Sequence, residues 1–356
     1  MHTDRQTDRQ TDRQFGVGTS AGCEVVHKCV SALTDANPDH IVIAFDATNA
    51  FNSLPRAQIW QGVTARLPAL ANTVRAWLSK PTTHLWWDDH GKVHRLFAKQ
   101  GVDQGCPLSP GLFALGLANT LANIDAALKE LDPRCRVFAY LDDIVVVVPA
   151  AVAVRAKAKV TECVEAAGLS MNQGKTKVWA KDPQAPIPEE LRPHHTPRLK
   201  LLGCGLSFLD REYAEVALHG IEDGALILAK TRTFCSRLLE LKQAGLSAKA
   251  SFILLQTHAQ GCVTHFQRAN FDTSQRTKMF DTVILDTLDK ILEGSTSELQ
   301  RAIACLRTTE GGLGLPSAVR RQAPAFLGSW ALGLKTVAEV VEAHIPGSHV
   351  WPCVQQ

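Results

Sequence analysis

The chain has 356 residues, 45% hydrophobic and 21% charged, with ten cysteines and a formal net charge of +3. That is ample for two or three globular domains, and the small net charge excludes a protein that binds polyanions by bulk charge alone, though not a local basic groove. The sequence has no run of about 18 apolar residues and no apolar leader after Met1, so neither a transmembrane helix nor a secretory signal is expected. The cysteines lack any CxxC spacing, which favours free thiols in a reducing compartment.

Residues 3–14 are three copies of Thr-Asp-Arg-Gln. A tandem ACAG repeat in DNA encodes that unit, so residues 1–14 are read as translated low-complexity sequence and expected to be disordered. From Phe15 the pattern becomes globular. Cys23 to Leu33 reads as a helix, and HIVIAFD (40–46) as a buried strand ending in Asp46. Pro55 to Leu78 suits one or two helices. HLWWDDHGKVHRLF (84–97) reads as a hairpin whose acids, Asp88 and Asp89, belong to a solvated turn. Residues 99–124 read as a Gly/Pro-rich loop opening a long apolar helix.

VFAYLDDIVVVV (137–148) then places Asp142 and Asp143 inside an almost continuous apolar run. Ile144 to Val148 is wholly β-branched, which suits a central strand, and Arg136 to Tyr140 suits its hairpin partner. Adjacent carboxylates beside apolar walls repel one another unless cations neutralise them, and divalent metals commonly do so. Val152 to Ala167 has helical spacing, with Gly168 as its C-cap. Residues 181–198 read as a linker or surface insertion, 199–208 as a short strand or hairpin, and the chain from about 220 as mostly helical. Were the strands ending at Asp46 and Asp142-Asp143 neighbours, three carboxylates would meet at one sheet edge, an arrangement able to hold two Mg²⁺ ions about 4 Å apart.

Five segments in this order, FDATNAFNSLPR (45–56), GVDQGCPLSPGLFAL (101–115), AYLDDIVVV (139–147), GLSMNQGKTKVW (168–179) and LKLLGCGL (199–206), resemble the successive motifs of reverse transcriptases, most of all those of non-LTR retrotransposons. GGLGLPSA (311–318) resembles the C-terminal region of such proteins. The resemblance spans roughly residues 14–335. It implies an α+β right-hand polymerase fold: partial fingers and an antiparallel palm over 15–208, then a helical thumb-like and C-terminal region over 209–356. It implies RNA-directed DNA polymerase activity on an RNA template, a DNA primer and dNTPs, with two Mg²⁺ ions or Mn²⁺ as cofactor, inside the cell and away from membranes.

Residue by residue, the resemblance implies Asp46, Asp142 and Asp143 as catalytic metal ligands and Phe51 as a steric gate beneath the sugar. It implies Gln104 and Gly105 against the nucleotide and template, Lys175 near the pyrophosphate, and Leu202-Gly203 as a primer grip. Arg56 is open to a nucleic-acid or a helix-start role. Family members carry more fingers sequence ahead of Gln14, and no endonuclease is recognisable, so the chain reads as an N-terminally truncated copy. Two alternatives stand beside this reading: an inactive fragment that still binds nucleic acid, and an RNA-directed RNA polymerase, against which Tyr140-Leu141 and Phe51 argue. His258, Cys262 and His265 have the spacing of zinc ligands on one helix face, but lack an evident fourth ligand and read as a packed face.

Overall fold

A computed structural model describes residues 13–182, 185–206, 218–259, 261–271 and 276–342, with backbone alone for 218–226, 262 and 276. Residues 1–12, most of the repeat expected to be disordered, lie outside this set. The chain divides into two compact units, Met1–Leu202 with Thr336–Gln356, and Gly203–Lys335.

The first unit opens with α1 (Gly22–Ala36), β1 (His40–Phe45), a single turn α2 (Ala50–Ser53), α3 (Arg56–Arg66) and α4 (Ala71–Leu78). A hairpin, β2 (Thr82–Trp87) and β3 (Val93–Ala98), precedes the long α5 (Ser109–Leu131). Then come β4 (Arg136–Tyr140), β5 (Asp143–Pro149), α6 (Ala153–Ala166), β6 (Lys177–Ala180) and β7 (Lys200–Leu201). The expected hairpins and the helix capped at Gly168 are present. Gly168 has φ 82, and its neighbour's amide, Leu169 N–H, closes the end of α6 by donating to Val164.

β4, β5, β1 and β6 form, in that order, an antiparallel sheet. Alternation along β1 sends Ile41, Ile43 and Phe45 to a face that packs with Val146 and Val148 of β5 and with apolar side chains of α3, α5 and α6. Val42, Val145, Val147 and Phe138 are buried on the opposite face, which α1 covers. β5 is therefore sandwiched on both faces and paired on both edges. That explains the unbroken β-branched run, since a strand buried on two sides has no position for a polar residue. Each such side chain contributes about 1.5–3 kcal/mol on burial.

By length and composition α5 could cross a membrane. It is instead a core helix: it contacts α3, α6 and β4, and its buried Asp125 is paired to Arg13 at 2.5 Å and Lys129 at 2.8 Å. Burial works to raise the Asp125 carboxyl, and the two cations outweigh it and hold it below the usual carboxylate range. The eight cysteines whose side chains are described form no disulfide with one another.

The second unit contains a two-residue strand β8 (Cys204–Gly205) and the helices α7 (Leu218–Gln243), α8 (Ala248–Leu254), α9 (Gly261–Ala269), α10 (Arg276–Leu292) and α11 (Glu298–Ala304). α12 (Ala318–Glu342) begins within it. α7 packs along α10 around Leu238, Phe280, Ile284 and Leu288. Asp281 of α10 accepts from Ala318 N–H at 2.6 Å and Ser317 Oγ–H at 2.6 Å, placing a carboxylate at the N-terminus of α12, where the helix dipole favours it.

Candidate active site

The register of the sheet decides where the acids go. Phe45 pairs with Ile144, so Asp46 and Asp143 leave the same end of adjacent strands. Tyr140 pairs with Asp143, so Leu141-Asp142 is a two-residue turn. Leu141 has φ 55, in the left-handed region that branched residues disfavour. Beyond β1 the chain continues to pair with the segment after α6: Asn172 N–H donates to Asp46 O and Thr48 N–H to Ser170 O, both at 2.8 Å. The Asp46 backbone is therefore tied to the segment after α6.

Asp143 reaches solvent at the mouth of this edge, but its carboxyl titrates above the usual range. Burial of its inner side raises it first, and the neighbouring charges of Asp142 and Asp46 raise it further. The three carboxylates thus lie within electrostatic reach. Among the described residues, no three acids, histidines or cysteines converge into a ready-made metal cage. Lys175 stands 3.3 and 3.4 Å from the two Asp46 oxygens. Tyr140 hydrogen-bonds Cys23 of α1, and that bond, with burial, pushes its phenol to about 12. The tyrosine therefore stays neutral and anchors the hairpin to the helix behind it.

Phe51 lies on α2, which follows directly from the Asp46 loop. Its ring stacks flat on Phe113 of α5, with centroids 4.4 Å apart and planes 8° from parallel. Such stacking contributes about 0.5–1.5 kcal/mol and fixes the ring's orientation. The 101–105 loop is tied to the same turn: Val102 N–H donates to Phe51 O at 2.8 Å, and Gly101 N–H to Leu54 O at 2.9 Å. Gly101 has φ 66, and a Cβ there would lie 2.3 Å from Phe51 O. Only glycine lets the two backbones come this close. Gln104 and Gly105 follow in a turn, both exposed, and Gly105 has φ 92 and open space about it.

The remaining candidates separate. Leu202 and Gly203 form a turn with φ 49 and 92 and straddle the border between the units. Arg56 is a clamp within the protein: its guanidinium donates to Gly101 O, Leu78 O, Lys80 O and Thr82 Oγ1 at 2.6–3.3 Å. Asp88 accepts from the backbone of His90 and Lys92 and pairs with His94 at 2.8 Å, as a turn residue should. His258 belongs to a π-helical stretch, Leu255–Ala259, with its ring edge-on to Phe234, whereas His265 belongs to α9. A single helical face for these residues is therefore not formed, and the Cys262 side chain is outside the described set.

Two residues depart from the sequence expectation. Arg13 and Gln14 fall within the repeat expected to be disordered, but they are built onto the sheet: Gln14 forms a parallel bridge to Ala139 of β4, and Ala139 N–H donates to Arg13 O. The signal for this was that the motif resemblance begins at Gln14, overlapping the repeat.

Residues 3–206 match the family model described as reverse transcriptase (RNA-dependent DNA polymerase). The chain belongs to the reverse transcriptase family. It is 26% identical over 277 residues to the retrotransposable element SLACS 132 kDa protein of Trypanosoma brucei gambiense, covering 76% of this chain and 22% of that protein. Among solved structures it is similar to telomerase from Candida albicans (12% identity, TM-score 0.48, covering 92% of this chain and 52% of that one). It is also similar to apo telomerase from Candida tropicalis (12% identity, TM-score 0.48, covering 96% and 57%). The chain thus spans about a fifth of the curated relative and just over half of these telomerases.

Proposed function

We propose that this chain is an RNA-directed DNA polymerase of retroelement origin, adding deoxynucleotides to a primer 3′-hydroxyl against an RNA template. The observation that carries the reading is the meeting of Asp46 and Asp142-Asp143 at one sheet edge, in a chain whose family generally uses divalent metal ions. Asp46, Asp142 and Asp143 supply hard oxygen ligands and an excess of negative charge, which suits Mg²⁺ or Mn²⁺. Bound there, a pair of such ions would activate the attacking hydroxyl and neutralise charge on the leaving pyrophosphate.

The protein's own residues do the rest. The β1–β5 register keeps Asp46 beside Asp143, and the Asn172 contact fixes the Asp46 backbone. Phe51, immobilised on Phe113, leaves no room for a 2′-hydroxyl and so selects deoxynucleotides. Gln104 offers an amide, and Gly105 an unobstructed backbone, to the nucleotide and template. Lys175 balances Asp46 while the site is empty of substrate and can turn to the pyrophosphate when one arrives. Leu202-Gly203 is the turn assigned to grip the primer backbone. Contacts to phosphate would make binding weaken with salt. The protein would act inside the cell, where its template and primer are found.

The test is incorporation of labelled dNTPs on a primed RNA template with Mg²⁺, using the full chain beside Asp142→Ala. Incorporation abolished by the substitution supports the polymerase. Nucleic-acid binding without incorporation in the unsubstituted chain would favour a non-catalytic fragment and overturn the reading.

A further inference from the structure

The acids of the candidate site hang from a turn that the local sequence does not favour. Leu141 adopts φ 55 immediately before Asp142. For a residue other than glycine, this conformation costs about 1–2 kcal/mol and persists only where surrounding structure imposes it. The imposing group is the Gln14 side chain. Its Oε1 accepts from Leu141 N–H at 2.8 Å and from Gly16 N–H at 2.9 Å, and its Nε2 donates to Leu141 O at 3.3 Å. One primary amide thus engages both backbone polar groups of the strained residue.

Gln14 is itself locked from several directions. Ala139 N–H donates to Arg13 O at 2.7 Å, and Phe15 N–H donates to Ala139 O at 2.8 Å. Arg13 is held by the buried Asp125 of α5, and the Phe15 ring lies 5.8 Å from that of Phe138. Gly16 closes the clamp, since a Cβ there would come 2.8 Å from both Leu141 Cγ and Leu141 N. The Gln14 side chain is almost entirely buried, so these hydrogen bonds form in a low dielectric without competition from water.

We infer that Gln14 is a positioning residue for the polymerase reaction: it holds the Leu141 turn in its left-handed conformation and thereby keeps Asp142 and Asp143 in place beside Asp46 as cation ligands. This rests on the polymerase reading above, and the two can fail separately.

The experiment uses the full chain with Gln14→Leu, which keeps size and removes both polar atoms, and Gln14→Glu, which keeps the acceptor but loses the donor. Three quantities are measured: steady-state incorporation, Mn²⁺ binding by electron paramagnetic resonance, and hydrogen exchange at the Leu141 amide. Gln14→Leu should lower kcat about 100-fold, the scale of an ångström of misplacement, with the KM for dNTP unchanged. It should also weaken Mn²⁺ binding and speed exchange at Leu141. Gln14→Glu should keep Leu141 protected and fall between the parent and Gln14→Leu in kcat, which tests the idea even if the leucine variant does not fold. Unchanged kcat and Mn²⁺ binding in a folded Gln14→Leu would overturn the inference and leave the polymerase reading intact. Absence of incorporation and of Mn²⁺ binding in the parent chain would overturn both.

Discussion

Two hairpins in this molecule carry an Asp-Asp pair, and they treat it in opposite ways. In β2–β3, Asp88 collects two backbone N–H groups and His94, and with the histidine bond as the largest influence its carboxyl falls below the usual range. In β4–β5, Asp143 has burial behind it and two carboxylates beside it, and its carboxyl rises. The strands differ accordingly. Leu85, Trp86, Trp87, Leu96 and Phe97 of the outer hairpin are exposed, whereas Ile144 to Val148 are buried on both faces. The same dipeptide is a satisfied turn in one place and part of a mutually repelling group of acids in the other. What distinguishes them is whether the fold supplies donors or further acids.

The comparison can be broken most directly by deleting one acid from each hairpin. Asp142→Ala should reduce incorporation at least about 1,000-fold, the several kcal/mol of charge stabilisation that a metal ligand organises. Asp88→Ala should leave kcat unchanged, and equal losses in single-turnover assays would erase the distinction. A smaller effect tests the ring beside the inner site. Phe51→Val should cut discrimination against ribonucleotides by about 10- to 200-fold, the range available from apolar pocket contacts, read as the ratio of kcat/KM values.

The outer hairpin depends on Arg56, which ties Thr82 and Lys80 to Gly101. Arg56→Ala should cost about 2–3 kcal/mol in chemical denaturation, because several carbonyls lose a charged donor together. The smallest effect has the most informative sign. The folded value of Asp143 lies above its unfolded value, so its ionisation opposes folding at neutral pH, and this opposition disappears as pH falls through the folded value towards the unfolded one. Asp143→Asn should therefore raise the metal-free melting temperature at neutral pH, with the gain shrinking on acidification. Asp88→Asn should do the reverse, lowering it at neutral pH, with the loss vanishing below the folded value of Asp88.

The inner hairpin was legible because its chemistry conflicts with its surroundings: two acids inside a β-branched run stand out in any reading. The α6 helix and its Gly168 cap, the 84–97 hairpin and the strand ending at Asp46 were equally visible, since each follows from short-range periodicity and turn chemistry. Gln14 was not, because its role comes from a tertiary contact 127 positions away in a segment that looks like a repeat. Arg56 was ambiguous for the same reason. A guanidinium beside carbonyls and one beside phosphate look identical in sequence, and only the closing of the 78–101 stretch around it shows which partners it has. The zinc spacing at 258–265 assumed a continuous helix, which the π-helical stretch interrupts.

The pairing of β1 with β5 also bears on how the protein comes into being. Ile41–Phe45 and Ile144–Val148 are about a hundred residues apart, and their ladder cannot form until that whole loop has been made and closed. Such non-local antiparallel contacts slow folding. During synthesis, β1 must therefore leave the ribosome as an apolar strand with its principal partner still untranslated. The acids of the candidate site become neighbours only when β5 pairs with β1, so the site cannot assemble before the β4–β5 hairpin has been made.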